Sequence, residues 1–220
     1  PLYTTAADAY SSTNYSGSLL RTGSVSYSPM LGTGGTHTAS SGFTTSGDLA
    51  PGFTSIRSGG ATSTAVITTS KVPRTDGKDG EMQQVQLVIS TVGGADEITN
   101  LRATPNINDV LPGEKFYAEI WIELVTTPVN IRAIELYLLE TRPTNSQTAI
   151  DDAYNSTLSL LLPSVRTKKL LRTPVIVRQS DSTALQVNLR TRADTTSGTA
   201  SVTYKVTDYA VRKVRDDVVT

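Results

Sequence analysis

This chain of 220 residues contains no cysteine, one histidine and one tryptophan. Without cysteine there is no disulfide, no thiolate metal site and no cysteine nucleophile. No apolar run approaches the ~20 residues that a transmembrane helix needs, and the first residues lack the basic and apolar regions of a secretory signal. The formal net charge is zero, which argues against attraction to nucleic acid or anionic lipid. We therefore expect no membrane insertion and no nucleic-acid partner.

Groups for catalysis are equally scarce. His37 lies in a segment rich in glycine and threonine, which does not favour a Ser-His-Asp triad on a folded domain. Glu119 and Glu123 would be about 13 Å apart along a strand, farther than the two carboxyls of a glycosidase. A cross-strand pair such as Glu119 with Glu135 stays open. No His or Cys cluster could hold a transition metal, so we expect neither an enzyme nor a metal site.

The first 48 residues differ from the rest, since 26 of them are serine, threonine or glycine. Such a segment has too few large apolar groups to offset its ordering entropy alone. Tyrosine, leucine, methionine and phenylalanine nevertheless recur in it, and a flexible linker would not need them. We predict an extended N-terminal arm over residues 1–45, ordered by contact with a neighbouring surface, and a folded domain over residues 46–220. A disordered tail is the alternative.

From residue 53 onward, strand patterns recur with turn residues between them. The candidates are residues 53–57, 62–72, 81–90, 98–103, 115–124, 131–140, 158–162, 170–178, 184–192 and 200–214. About ten strands without amphipathic helices between them predict an all-β fold, a two-sheet antiparallel sandwich. The one helical turn that we predict lies between residues 145 and 155.

The strand candidate at 115–124 follows a Pro-Gly turn and alternates clearly, with Ile120 and Ile122 on one side and Trp121 on the other. Because side chains alternate with a period of two, four such strands have a core set and an outward set. The outward set is Gln84, Gln86, Tyr117, Glu119, Trp121, Glu123, Glu135, Tyr137, Asn188 and Arg190. If these strands share one sheet, the set forms one ligand or partner face. Aromatic rings could stack on sugars there, while a protein contact or solvated surface would show the same composition.

Charge also divides along the chain. Residues 96–152 carry ten acidic and four basic side chains, whereas residues 166–215 carry eleven basic and three acidic ones. Scattered surface charge is one interpretation. The other is that an acidic and a basic patch meet between neighbouring copies of a homo-oligomer, because complementary charges fix register in an assembly.

Four segments together resemble a known family. They are residues 46–53 (SGDLAPGF), 80–85 (GEMQQV), 111–115 (LPGEK) and 201–211 (SVTYKVTDYAV). This order of turn and strand motifs is similar to that of carbohydrate-binding-module jelly rolls, especially the diverged versions in bacteriophage structural proteins. The resemblance spans residues 46–214 and implies a jelly-roll domain.

The same resemblance implies a role in the virion, assembled in the host cytoplasm. We expect a capsid decoration protein whose partners are other virion proteins and copies of itself; the alternative is a tail or fibre module that binds a host surface glycan. Related jelly rolls often hold a structural calcium, for which Asp76 with Asp79, or Asp151 with Asp152, would supply oxygens. Neither pair has the regular spacing of a dedicated calcium loop, so we expect no cofactor.

Overall fold

The computed structural model describes residues 26–58, 64–91, 98–108, 110–156, 168–193 and 198–214. The strands are β1 (Ser26–Ser28), β2 (Thr36–His37), β3 (Phe43–Gly47), β4 (Phe53–Arg57), β5 (Thr64–Pro73), β6 (Glu81–Thr91), β7 (Ile98–Ala103), β8 (Lys115–Leu124), β9 (Ile131–Thr141), β10 (Gln147–Asn155), β11 (Lys168–Arg172), β12 (Ile176–Val177), β13 (Ala184–Ala193) and β14 (Ala200–Val214). Within these residues there is no helix, and hence none that could cross a membrane.

Two sheets form a sandwich, as predicted. The eight-stranded sheet has the order β11-β8-β14-β6-β5-β3, with β1 also beside β14 and β12 beside β8. The six-stranded sheet has the order β10-β9-β13-β7-β4-β2. Neighbouring strands are antiparallel except at two edges, where β3 runs parallel to β5 and β2 runs parallel to β4. The all-β prediction is confirmed, with two parallel pairs that the sequence did not indicate.

The core lies between the sheets and consists of the alternate side chains of the long strands. On β8, Ile120 and Ile122 are 1% and 0% exposed, and on β9 Leu136 and Leu138 are 1% and 0% exposed. Removing such side chains from water is the main favourable term in folding. The residues between them along each strand therefore point to the outer faces of the sandwich, where the candidate site lies.

Most strand predictions agree with the structure, but one strand is divided and the predicted helical turn is a strand. Residues 53–57, 98–103, 115–124 and 200–214 are strands with the predicted bounds. The helical turn predicted at residues 145–155 is wrong, because that segment is β10, whose Ala149 and Ala153 are buried in the core. Residues 170–178 are split between β11 and β12, which both pair with β8. The candidate at residues 158–162 lies outside the described residues.

The described part of the N-terminal arm belongs to the sandwich of its own chain. Its strands β1, β2 and β3 pair with β14, β4 and β5. Met30 and Phe43 are 0% and 2% exposed, and the Lys71 amine donates a 2.6 Å hydrogen bond to the Met30 carbonyl. Burial lowers the pKa of Lys71 to about 8. The boundary at residue 45 stays a prediction, but residues 26–45 are ordered by contact with both sheets.

The first testable consequence concerns this arm. We expect Met30→Ala to lower the free energy of unfolding by about 2–3 kcal/mol, because truncating the buried methionine side chain would create a cavity. Leu31→Ala is the matched control, because Leu31 is 44% exposed and should cost well under 1 kcal/mol. Urea melts of both variants measure the difference. Equal losses would mean that Met30 does not anchor the arm to the core.

The acidic and basic segments meet within one chain. Ion pairs join Glu119 with Arg172 and Arg212, Glu114 with Lys213, Glu135 with Arg190, and Asp181 with Arg142. The interpretation that these charges meet between copies is therefore not needed to account for them. Their separation in sequence reflects strands that become neighbours only on folding.

Candidate functional site

The ten predicted face residues do not share a sheet, so the prediction of one common face is wrong. Six of them lie on β6 and β8 of the eight-stranded sheet, and four lie on β9 and β13 of the six-stranded sheet. All ten point outward, because the side chains next to them along each strand are in the core. Alternation predicts which side of a strand faces out, whereas sheet membership depends on long-range pairing. The two outer faces are therefore distinct surfaces on opposite sides of the sandwich.

On the eight-stranded sheet, cations from the edge strand β11 cover the aromatic side chains of β8. The Lys168 amine lies 4.9 Å from the centroid of the Trp121 ring, and the Arg172 guanidinium lies 5.3 Å from that of Tyr117. Both are cation–π contacts. A sugar stacking on these rings would have to displace the cations.

The carboxylates between these rings are also engaged. Glu119 is 6% exposed and accepts hydrogen bonds from Arg172, at 3.0 Å, and from Arg212. Glu123 is 4% exposed and accepts a 2.5 Å hydrogen bond from the Thr75 hydroxyl. Both carboxylates are thus structural partners of neighbouring strands and loops. Neither is presented as a free acid or base.

An ion-pair network around Arg74 lies on the same side of the sandwich. The Arg74 guanidinium, 5% exposed, contacts Asp76 at 2.7 Å and Asp208 at 2.9 Å. The Lys168 amine also bonds Asp76, at 2.5 Å, and the Tyr27 hydroxyl donates to Asp208 at 2.6 Å. The hydrogen bond from Arg74 lowers the pKa of Asp76. Burial opposes ionisation of Asp208, but the bonds from Arg74 and Tyr27 outweigh it and lower its pKa too.

The remaining part of this outer face is mostly uncharged, with the half-buried Lys205 in register with Gln84. Gln86 is exposed and lies in register with Thr68 on β5 and Thr203 on β14. Next to them, Val66 and Val88 face each other and are 38% and 37% exposed. Gln84, half-buried, reaches the Ser70 hydroxyl at 3.5 Å. This region is a flat polar surface with two valines, and none of its side chains forms an ion pair in the described residues.

The six-stranded sheet presents a different arrangement. Its outer face carries one residue from each strand in a single transverse row, in the order Ile150, Tyr137, Asn188, Arg102, Thr54 and Thr36. With strands about 4.8 Å apart, five spacings make this transverse row about 24 Å long. It crosses every strand of the sheet and combines an aromatic hydroxyl, an amide, a guanidinium and two aliphatic hydroxyls. No carboxylate lies within it.

Hydrogen bonds orient the middle of the transverse row. The Arg102 Nε donates to the Asn188 side-chain oxygen at 3.0 Å, and the Asn188 amide nitrogen reaches the Gln186 oxygen at 3.4 Å. At one end the hydroxyl oxygens of Thr36 and Thr54 lie 2.6 Å apart. Of these residues, the sequence predicted only Asn188. Arg102, Thr54 and Thr36 were missed, although the outward positions of Arg102 and Thr54 follow from the alternation of β7 and β4.

The neighbouring charges on this face neutralise one another. Arg190 donates to Glu135 at 2.6 Å, and its guanidinium lies 4.2 Å from the centroid of the Tyr137 ring. Arg192 lies 3.9 Å from the same carboxylate. Tyr137 is therefore stacked by a cation, like Tyr117 and Trp121, and it lies on the opposite face of the sandwich from those two rings. The Tyr137 hydroxyl has no hydrogen-bond partner among the described residues.

His37 joins the two sheets rather than forming a catalytic pair. Its Nε2 donates to the Gly47 carbonyl on β3 at 3.0 Å, so Nδ1 accepts from the Ser55 hydroxyl on β4 at 2.7 Å. A Ser–His contact of this length is also found in hydrolases, but Ser55 is 1% exposed and faces the core. A substrate could not reach it. Among the described residues no group of three or more His, Cys, Asp or Glu side chains could hold a metal.

Comparisons with solved structures find sandwiches of similar fold, several of them carbohydrate-binding modules. It is similar to the carbohydrate-binding modules of the β-sandwich superfamily studied for promiscuous specificity, with 13% identity, a TM-score of 0.46, and coverage of 74% of this chain and 57% of that one. The C-terminal family 22 module of a Clostridium thermocellum xylanase gives 12% identity and a TM-score of 0.45, with coverage of 77% and 90%.

A tailspike protein of bacteriophage CBA120, represented by its enzymatically active domain, gives 12% identity and a TM-score of 0.40, with coverage of 74% of this chain and 20% of that one. No protein-family profile matches the chain, and no curated protein matches it. The resemblance to carbohydrate-binding-module jelly rolls is confirmed for the fold. All three identities are below 25% and all three TM-scores are below 0.5. We therefore argue function from this chain's own residues.

Proposed function

We propose that the protein is a non-enzymatic virion protein of a bacteriophage whose six-stranded sheet binds a glycan along the transverse row. The observation that carries this proposal is the row itself, in which polar side chains from successive strands lie in register with no ion pair between them. A sugar chain offers hydroxyls at every unit along its length, and the row offers a side chain at every strand, about every 4.8 Å. Threonine and tyrosine hydroxyls both donate and accept, as sugar hydroxyls do.

The contrast between the two outer faces supports this choice. On the eight-stranded sheet, Glu119 and Asp76 each bind two cations, and Glu123 binds Thr75. A ligand there would have to compete with these contacts. On the six-stranded sheet, the Tyr137 hydroxyl and the terminal nitrogens of Arg102 have no hydrogen-bond partner among the described residues. Polar groups held in place and left without partners suit ligand recognition.

Within the virion we propose capsid decoration, with a tail or fibre receptor-binding module as the alternative. The sequence resemblance to phage structural proteins supports a virion protein of either kind. The mostly uncharged part of the eight-stranded sheet, around Val66 and Val88, lies on the side opposite the transverse row. If the protein docks on the capsid through this surface of the eight-stranded sheet, the six-stranded sheet faces solvent. Antibody labelling of particles should therefore mark the head, and labelling of the tail tip alone would favour the alternative.

Glycan binding is tested by removing hydroxyls from the transverse row. We expect Tyr137→Phe with Thr54→Val to weaken binding about tenfold, since two hydrogen bonds of about 0.5–1.5 kcal/mol each would be lost. The matched control, Tyr117→Phe with Thr68→Val, changes the same residue types on the eight-stranded sheet and should bind like the wild type. A glycan array followed by calorimetry on any hit provides the measurement. Failure of the wild-type protein to bind any glycan would refute the proposal.

A further inference from the structure

Arg102, in the middle of the transverse row, differs from five other arginines near the outer faces. Those arginines each contact a carboxylate: Arg74 with Asp76 and Asp208, Arg142 with Asp181, Arg172 and Arg212 with Glu119, and Arg190 with Glu135. Arg102 has no carboxylate within ion-pair distance among the described residues. Its one hydrogen bond there is from Nε to Asn188.

An unpaired guanidinium in this position is energetically unfavourable. Arg102 is half-buried on a central strand, between β13 and β4, and burial lowers its pKa. Taking a charge partly out of water without a counter-ion costs free energy, and a bound anion would recover it. Glu135, two residues along β9 from Tyr137, is not a counter-ion for Arg102, because Arg190 and Arg192 already neutralise its carboxylate.

The geometry also fits a carboxylate. The bond from Nε to Asn188 fixes the plane of the Arg102 guanidinium, and Asn188 is itself 4% exposed and bonded to Gln186. The two terminal nitrogens of the guanidinium are left to donate, and such nitrogens bind a carboxylate through two parallel hydrogen bonds. The site is thus oriented before a ligand arrives.

We propose that the transverse row recognises an acidic glycan, one whose uronic or sialic acid carboxylate binds Arg102 while neighbouring sugar hydroxyls bind Tyr137, Thr54 and Thr36. This inference rests on the proposed glycan-binding function and adds the charge of the ligand. A linear ligand is favoured because the row is one residue wide and about 24 Å long. Hydroxyls lie on both sides of Arg102. They suit a sugar chain, whose carboxylate is flanked by hydroxyls, better than an acidic peptide.

Matched charged and neutral ligands test the inference. The probes are oligogalacturonate and its methyl ester, and polysialic acid and its carboxyl-reduced form, each measured by calorimetry with the full chain. We expect an acidic probe to bind at least about tenfold more tightly than its neutral counterpart, and more weakly as salt is raised. Arg102→Gln should remove this preference without lowering the thermal stability, and Arg102→Lys should retain part of the preference.

The control is Arg172→Gln, which removes an arginine from the other outer face and should leave binding unchanged. Equal binding of charged and neutral forms would overturn the acidic-ligand inference while leaving the glycan proposal intact. No binding of any glycan would overturn both. If polyglutamate binds as tightly as the acidic glycans, and Arg102→Gln weakens both equally, the transverse row binds an acidic protein segment instead of a glycan.

Discussion

Replacing Ile120 with alanine is expected to lower the free energy of unfolding by about 2–5 kcal/mol, the range for large-to-small changes in a packed core. Ile120 is 1% exposed and lies near the centre of the sandwich, where it lines a small apolar void with Leu136, Val187 and Tyr209. Because these side chains already leave a small void, they could fill the larger cavity beside alanine only by losing contacts elsewhere. The loss should therefore fall in the upper part of that range.

The adjacent residue provides the control. Trp121 is larger than Ile120 but points to the outer face, where the Lys168 amine lies over its ring. Trp121→Ala should cost about 1 kcal/mol, since it removes a partly exposed ring and one cation–π contact. Urea melts followed by circular dichroism compare both variants without relying on tryptophan fluorescence. A larger loss for Trp121→Ala than for Ile120→Ala would reverse the assignment of the two faces of β8.

Local patterns were sufficient to predict most of the fold. Side-chain alternation predicted β4, β7, β8 and β14 with their observed bounds, because a strand buried on one side must alternate. It also predicted that Glu119 and Glu135 point outward. It could not predict that they lie on opposite sheets, since β8 pairs with β14 and β9 pairs with β13, and those partners are distant in sequence.

Four strands were not predicted, namely β1, β2, β3 and β10. The sequences of β10 and β2 show why, because they carry weak apolar signals. In β10, alanines occupy the core positions, and Asp151 and Asp152 suggest a solvated turn. Strand β2 has two residues and pairs in parallel with β4. Parallel edge strands of this kind are defined by tertiary contacts rather than by their own composition. The order of residues 26–45 therefore comes from the sandwich on which they lie.

The candidate site was the least predictable part. An aromatic and acidic set on one strand suggested a binding face on β8. Folding instead pairs Glu119 with arginines from β11 and β14, and Glu123 with the Thr75 hydroxyl in the loop after β5. What distinguishes Arg102 is the absence of such a partner in the described residues, and a sequence does not show which charges will be paired. The alternation of β7 could have shown that Arg102 faces outward, but not that it lies between Asn188 and Thr54.

The second large effect is expected at Arg74, whose guanidinium bridges Asp76 and Asp208. Arg74→Met should lower the free energy of unfolding at pH 7 by about 3 kcal/mol, because it leaves two carboxylates without their main partner. The two aspartates retain 16% and 17% exposure, so the loss should stay at the lower end of the range for buried pairs. Arg142→Met is the control, since the Arg142–Asp181 pair is more exposed and should contribute much less to stability.

The pH dependence distinguishes this network from simple loss of packing. The pKa values of Asp76 and Asp208 are lowered in the folded protein, so the unfolded chain binds protons at a higher pH than the folded one. The stability that these carboxylates confer is therefore present at neutral pH and is lost as the pH falls below about 4. In Arg74→Met the folded-state pKa values rise, so the stability difference between wild type and variant should narrow from pH 7 to pH 3. Urea melts across that interval provide the measurement, and a difference independent of pH would show that Arg74 acts through its packing rather than its charge.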